Sequence, residues 1–210
     1  MEPAEAMFDP RNILSITLAF HLSQRMSGGY RVNRFLCDAA KIKSGERILD
    51  IGCGTADILD FLPPVEYYGF DLNRDYIAWA QRKFGSRGRF SCETVSSEKI
   101  PPELENNCDV VVAKGVLHHL NEDEVSAFFR LVKKTLRKHG RMFTLDACYT
   151  KGQGGIGKWL VSKDRGQFVR NDHELLALAK KSLGDSVQAS THDNLYRIPW
   201  TNVLMTYEHV

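Results

Sequence analysis

Acids and imidazoles placed at the ends of apolar segments carry the chemistry of this chain. Asp50 interrupts the apolar run Ile48-Leu49-Ile51 within RILDIGCGTAD, Arg47 to Asp57. A carboxylate inside a buried strand is costly unless it binds something. Gly52 and Gly54 follow at once, around Cys53. Glycines at a strand end allow a sharp turn and let a ligand approach bare backbone. Asp71 closes a second segment, VEYYGF, and Asp146 closes another, RMFTL. Lys114 and the pair His118-His119 stand just beyond the β-branched run DVVVA at Asp109 to Ala113. Imidazoles titrate near neutrality, so the pair is a candidate general base. The alternative is that one of them caps the next helix or packs against a cofactor. Asp146 either faces an acceptor or caps a loop. Tyr30 and Arg31, after Gly28-Gly29, either reach a ligand carboxylate or begin a solvated helix.

The elements that must position these groups alternate between strand and helix. Apolar spacing predicts helices over Arg11 to Gln24 and Tyr30 to Ala40. Thr55 is a candidate N-cap for a helix from Ala56 to Leu62, stopped by Pro63-Pro64. Asn73 caps a helix bearing Ile77, Ala80 and Phe84, and a short strand follows near Arg89 to Cys92. Asn121 and Glu124 have capping-box spacing, opening a helix expected to end at Lys138-His139-Gly140. Asn171 and Glu174 repeat that spacing before a helix ending at Gly184, and strands close the chain at Ser186 to Ala189 and Tyr196 to Tyr207. The alternation predicts a parallel α/β sheet that binds ligand beyond the carboxyl ends of its strands. The organisation expected is one domain: a helical cap over 1–44, a cofactor-binding core over 45–147, a glycine-rich, loop-rich insertion over 148–170 with one helical turn near Trp159, and a C-terminal helix and strands over 171–210.

The 210 residues suffice for a sizeable core, and a net charge of +2 gives no global field for nucleic acid or membrane. The five cysteines are scattered without a CxxC pair, so neither a disulfide framework nor a metal site is expected and a cytoplasmic location fits best. No apolar run is long enough for a membrane span.

Two cofactors suit a strand, glycine turn and helix. The dinucleotide pattern G-x-G-x-x-G requires a third glycine where Asp57 stands. A carboxylate there repels a pyrophosphate and does no harm beside a cationic nucleoside, and Asp50 makes the same point. S-adenosylmethionine brings a sulfonium, an ammonium and no phosphate. Asp71 serves ribose hydroxyls with either cofactor.

DIGCGT at Asp50 to Thr55, GFDLN at Gly69 to Asn73 and DVVVAKGVLHHL at Asp109 to Leu120 resemble, in order and spacing, motifs of the class I S-adenosylmethionine-dependent methyltransferases, in their small-molecule branch. DRGQFVR at Asp164 to Arg170 and RIPWT at Arg197 to Thr201 look like a subgroup of that family. The resemblance implies a single doubly wound, Rossmann-like sheet of seven strands, the last antiparallel, with helices on both faces. It implies that Gly52, Cys53 and Gly54 approach the methionine and ribose part of the cofactor, that Asp50 binds its amino group, that Asp71 holds the ribose hydroxyls, and that Leu72 packs on adenine. Thr94 stands where the family has an acid for the adenine amino group, with Glu93 one position early, leaving Thr94 or the backbone of Val95. Lys114 and Gly115 contribute backbone to the pocket.

The activity expected is methyl transfer from S-adenosylmethionine to a small molecule, leaving S-adenosylhomocysteine, with no nucleic-acid partner. His119, His118 and Asp146 are the candidate catalytic residues. Arg165, Gln167 and Arg170 either bind the acceptor or form a salt-linked lid, and Trp159, Phe168, Tyr196 and Trp200 either line an acceptor pocket or belong to the core. The alternatives are an RNA or protein methyltransferase, an NAD-dependent oxidoreductase, and a non-catalytic subunit with the same fold.

Overall fold

A computed structural model describes residues 28–163 and 166–210; the helix expected over residues 11–24, and Arg165, lie outside the described residues. The described elements are α1 (Gly29–Ala40), β1 (Arg47–Ile51), β2 (Glu66–Phe70), α2 (Arg74–Phe84), β3 (Gly88–Ser91), β4 (Cys108–Lys114), α3 (Glu122–Thr135), β5 (Leu136–Ala147), α4 (Gly155–Ser162), α5 (Asp172–Leu183), β6 (Gln188–His192) and β7 (Asn202–Glu208). The strands form one sheet in the order β3-β2-β1-β4-β5-β7-β6. β1 through β5 pair in parallel, and β7 runs antiparallel to β5 and β6. The expected seven-stranded α/β sheet, last strand antiparallel, is therefore the fold. The strand order reverses between β1 and β4, and the crevice beyond their carboxyl ends is the ligand position for such sheets.

Two apolar layers hold the sheet. Ile48, Tyr67, Val110, Val112 and Leu145 face α1 and α2 through Leu36, Ile77 and Ala80. Leu49, Val111, Ala113, Met142 and Met205 face α3 and α5 through Phe129, Val132 and Leu175. β4 is covered on both sides, which is why Val110 to Ala113 are apolar at every position rather than alternating. Both predicted capping boxes form, at Asn121–Glu124 and Asn171–Glu174, and Asn73 accepts from the amides of Asp75 and Tyr76.

Three local expectations are corrected. The helix expected over residues 56–62 is a five-residue 3-10 turn, Asp57–Phe61, entered through Ala56 at φ 55°. Thr55 does not cap it: its buried hydroxyl donates to the Asp57 carboxylate at 2.8 Å. The helix expected to reach Gly140 ends at Thr135. The amides of Asn106 and Asn107 take the carbonyls of Lys134 and Thr135, and Leu136, fully buried, passes directly into β5. The single helical turn expected near Trp159 is the eight-residue helix α4.

Candidate functional site

β1, β2, β4 and β5 end along one edge, and the candidate residues gather there. Asp50 is 4% exposed, and its carboxylate accepts the Tyr67 hydroxyl at 2.5 Å. Burial pushes the Asp50 carboxyl up to about 6, against the pull of Tyr67 and Lys114. Lys114 ends β4 on the same face, by the pairing of Asp50 with Val112 two residues before it. Its ammonium donates to the buried Asn33 of α1; burial lowers its pKa, and Asp50 is the main opposing charge. Asp50, Tyr67, Lys114 and Asn33 thus form a polar network beneath the glycine turn. Asp50 underlies the site rather than projecting into solvent, and Lys114 contributes its ammonium to this layer as well as the backbone expected of it.

The turn itself is fixed from inside. The amides of Gly52 and Cys53 donate to the Phe70 carbonyl at 2.8 and 3.0 Å. The Gly54 amide donates to Asp71 Oδ2 at 2.8 Å, and Asp71 Oδ1 accepts from Asn73 at the same distance. The Ala56 amide donates to Cys53. Gly52 has φ +71°, and a Cβ there would lie 2.5 Å from Cγ2 of Val116; at Gly54, φ +55°, it would meet nothing within 4 Å. The turn therefore offers open space over Gly54 with its amides turned inward, the reverse of a phosphate cradle. Asp57, expected to face the ligand, instead pairs with Lys83 at 3.0 Å. Asp57 still helps to hold the charge on Lys114, and what disfavours a pyrophosphate at the turn is the inward orientation of the amides.

Beside the turn, Leu72 is 73% exposed at the end of β2, an apolar side chain standing in water next to the Asp71 carboxylate. Thr94 is exposed and Val95 is buried in the α3 layer, so Val95 offers only backbone. Tyr30 packs edge-on against Phe61, ring centroids 4.5 Å apart, and Arg31 is exposed in the same first turn of α1.

On the other face of the sheet, Asp146 Oδ1 accepts the Leu117 amide at 2.7 Å and lies 3.0 Å from His118 Nδ1. Asp146 is buried, and its Oδ2 has no hydrogen-bond partner among the described residues. Asp146 thus holds the turn before α3 rather than facing an acceptor. It orients the His118 ring through Nδ1. His119 is exposed, its ring 4.2 Å from that of His118. Arg170 is not free for an acceptor: it donates to the carbonyls of Leu117, Phe168 and Leu120 at 3.3, 3.2 and 2.8 Å. The Phe168 amide donates to the His118 carbonyl at 2.9 Å, so this segment clamps the histidine turn, while Gln167 remains exposed.

A cavity of about 560 Å³ lies toward β6 and β7 rather than over the glycine turn, bordered by Thr150, Gln153, Gly155, His192, Asp193 and Thr201. The glycine turn, where the strand order reverses and Asp50 and Asp71 lie, stands apart from this cavity. None of the four aromatics expected in an acceptor pocket borders it. Trp159 points into solvent, Phe168 lies by Arg170, and Tyr196 packs edge-on with Trp200. Tyr67, Asn33 and Val116 were not singled out in the sequence. The available signal was Asn33 among the apolar positions of α1.

Residues 48–140 match the family described as a methyltransferase domain. This span holds the glycine turn, Asp71, Lys114 and His118. Over these residues the chain is similar to the S-adenosylmethionine-dependent methyltransferases. Phosphoethanolamine N-methyltransferase 1 of Triticum aestivum is 27% identical over 131 residues, 60% of this chain and 26% of that protein. The ubiquinone/menaquinone biosynthesis C-methyltransferase UbiE of Pseudomonas aeruginosa is 29% identical over 136 residues, 60% of this chain and 52% of that protein. The chain spans about a quarter to a half of the length of these curated relatives. Phosphoethanolamine N-methyltransferase 2 of Haemonchus contortus, solved with phosphomonomethylethanolamine and S-adenosylhomocysteine, has the same fold: TM-score 0.70 at 16% identity, covering 99% of this chain and 62% of that one.

Proposed function

We propose that this chain transfers a methyl group from S-adenosylmethionine to a small-molecule acceptor by in-line displacement. The observation that carries the reading is the inward bonding of the glycine turn onto Phe70 and Asp71, with exposed Leu72 beside it. Such a mouth has few donors for a pyrophosphate. It has an acceptor for ribose hydroxyls and an apolar face for a base. Asp71 holds the hydroxyls through the lone pairs its backbone bonds leave, Leu72 packs on adenine, and Thr94 and the backbone of Val95 border it. Asp50, kept anionic with the help of Lys114, attracts the amino group, while Gly115 lines the pocket and Tyr30 and Arg31 flank the amino-acid end.

The cofactor supplies a methyl group that is already activated. The work left to the protein is to align an acceptor with it and to exclude water. Where the acceptor must lose a proton, the His118 imidazole takes it, with Asp146 as the positioning residue and His119 at the exposed rim. The acceptor enters from the side of residues 148–170. The relatives' names, for phosphoethanolamine and for ubiquinone/menaquinone biosynthesis, accord with a small molecule.

Calorimetric titration with S-adenosylhomocysteine tests the reading. Saturable one-to-one binding displaced by S-adenosylmethionine is expected, with no thermal stabilisation by NADH. Greater stabilisation by NADH than by S-adenosylhomocysteine would refute it, and tight salt-sensitive RNA binding would move the acceptor to a macromolecule.

A further inference from the structure

Helix α4 exposes side chains that a soluble helix normally buries. Gly157 and Val161 face inward, whereas Ile156 is 70% and Trp159 59% exposed. Their spacing of three puts these two apolar groups on one side of the helix. Lys158 and Lys163 are also exposed, with Lys151 just ahead of the helix. No salt bridge engages these three lysines among the described residues. The helix sequence GIGKWLVS contains no acid. An indole and an aliphatic side chain on one side of the helix, flanked by Lys158 and followed by Lys163, with no ion pair to these lysines among the described residues, suit a bilayer interface: the ring sits at headgroup depth and the ammonium groups meet anionic lipid. At eight residues, roughly 12 Å, the helix can lie on a membrane but not cross it. Its first residues, Gly155 and Ile156, also border the 560 Å³ cavity, so the element that faces outward is a wall of that cavity.

We propose that α4 docks this protein on an anionic lipid surface through Trp159 and Ile156 with Lys151, Lys158 and Lys163, and that the cavity behind it receives an amphiphilic acceptor from that surface. The docking stands on the exposure and charge of α4; the amphiphilic acceptor rests on the methyl-transfer reading of the site. The charge of the face selects the occupant. A protein partner would need its own acidic patch, whereas an anionic bilayer supplies negative charge to all three lysines.

The test is co-sedimentation of the full chain with phosphatidylcholine vesicles, with and without phosphatidylglycerol. Binding is expected only with phosphatidylglycerol, falling as salt rises. Trp159→Glu is expected to weaken it about tenfold or more, and a Lys158→Glu/Lys163→Glu variant by a similar factor, since each basic residue at such a surface contributes about 1 kcal/mol and each 1.4 kcal/mol is about tenfold. Affinity for S-adenosylhomocysteine should be unchanged in both variants, which checks that they are folded. Failure to sediment with either vesicle, equal binding to both, or wild-type binding by Trp159→Glu overturns the docking, and would turn attention to a protein partner. If the vesicle results hold while S-adenosylhomocysteine does not bind, the docking stands and the amphiphilic acceptor falls with the reading it rests on.

Discussion

Replacing Asp50 with asparagine should make the protein more stable at neutral pH and a poorer binder of its cofactor. Asparagine keeps the shape and still accepts the Tyr67 hydroxyl, but carries no charge. In the folded protein the Asp50 carboxyl is raised from 3.8 to about 6, chiefly by burial. The folded state therefore retains the proton where the unfolded chain has released it, and this contribution to wild-type stability is lost as pH rises from about 4 to 6. Holding the ionised form above pH 6 costs the fold about 3 kcal/mol. Near pH 4 Asp50 is neutral, so variant and wild type should be almost equally stable. The advantage of Asp50→Asn should then grow by about 3 kcal/mol toward pH 7. Urea unfolding of both proteins at several pH values between 4 and 7.5 measures that difference directly, and calorimetry with S-adenosylhomocysteine measures the cost in affinity (about 1 kcal/mol or more, as for a lost charge-assisted contact). A stability difference that does not vary with pH would refute the buried ionised carboxylate. Unchanged affinity would refute its role under the amino group.

Three further outcomes follow from the same geometry. Asp71→Ala should weaken S-adenosylhomocysteine binding roughly 100-fold, since two hydroxyls each lose a charged acceptor worth about 1.5 kcal/mol, and Asp71→Asn by less; equal affinities by calorimetry would remove Asp71 from the ribose. Gly52→Ala should destabilise by more than about 2 kcal/mol in urea, because left-handed strain adds to the Val116 overlap; Val116→Ala in the same chain should recover only part, and full recovery would mean that φ contributes nothing. Arg170→Ala removes three carbonyl bonds and should cost about 2–3 kcal/mol, with faster amide exchange at Leu117 to Leu120; protection equal to wild type there would show that the clamp is idle.

What the sequence made legible was local. β1 and β4 announce themselves as apolar runs, and Asn121–Glu124 and Asn171–Glu174 carry both halves of a capping box within four residues. Asp71 and Leu72 follow from a strand end. What stayed hidden depends on partners distant in the chain. Tyr67 and Tyr68 are adjacent and equally apolar, and only the pairing of Ile48 with Tyr67 decides which hydroxyl meets Asp50. Asp57 reads as a ligand-facing acid until Lys83 of α2 is brought against it. Arg170 reads as a free cation until the turn at Leu117 to Leu120 presents its carbonyls. The end of α3 was misplaced because its last carbonyls are taken by Asn106 and Asn107, not by a glycine cap.

The two titratable groups central to the proposed reaction lie on opposite faces of the sheet. Asp50 and Lys114 share the layer of Ile48 and Val112 under α1, whereas Asp146 shares that of Met142 and holds His118 under α3. Apolar β1, β4 and β5 side chains lie between them. This arrangement divides the work. The α1 face sets the charge beneath the cofactor's amino group and fixes the glycine turn. The α3 face orients the imidazole of His118 and ties its turn to Arg170 and Phe168. In the proposed reaction the proton-accepting imidazole thus stands on the α3 face and the charge partner of the cofactor on the α1 face.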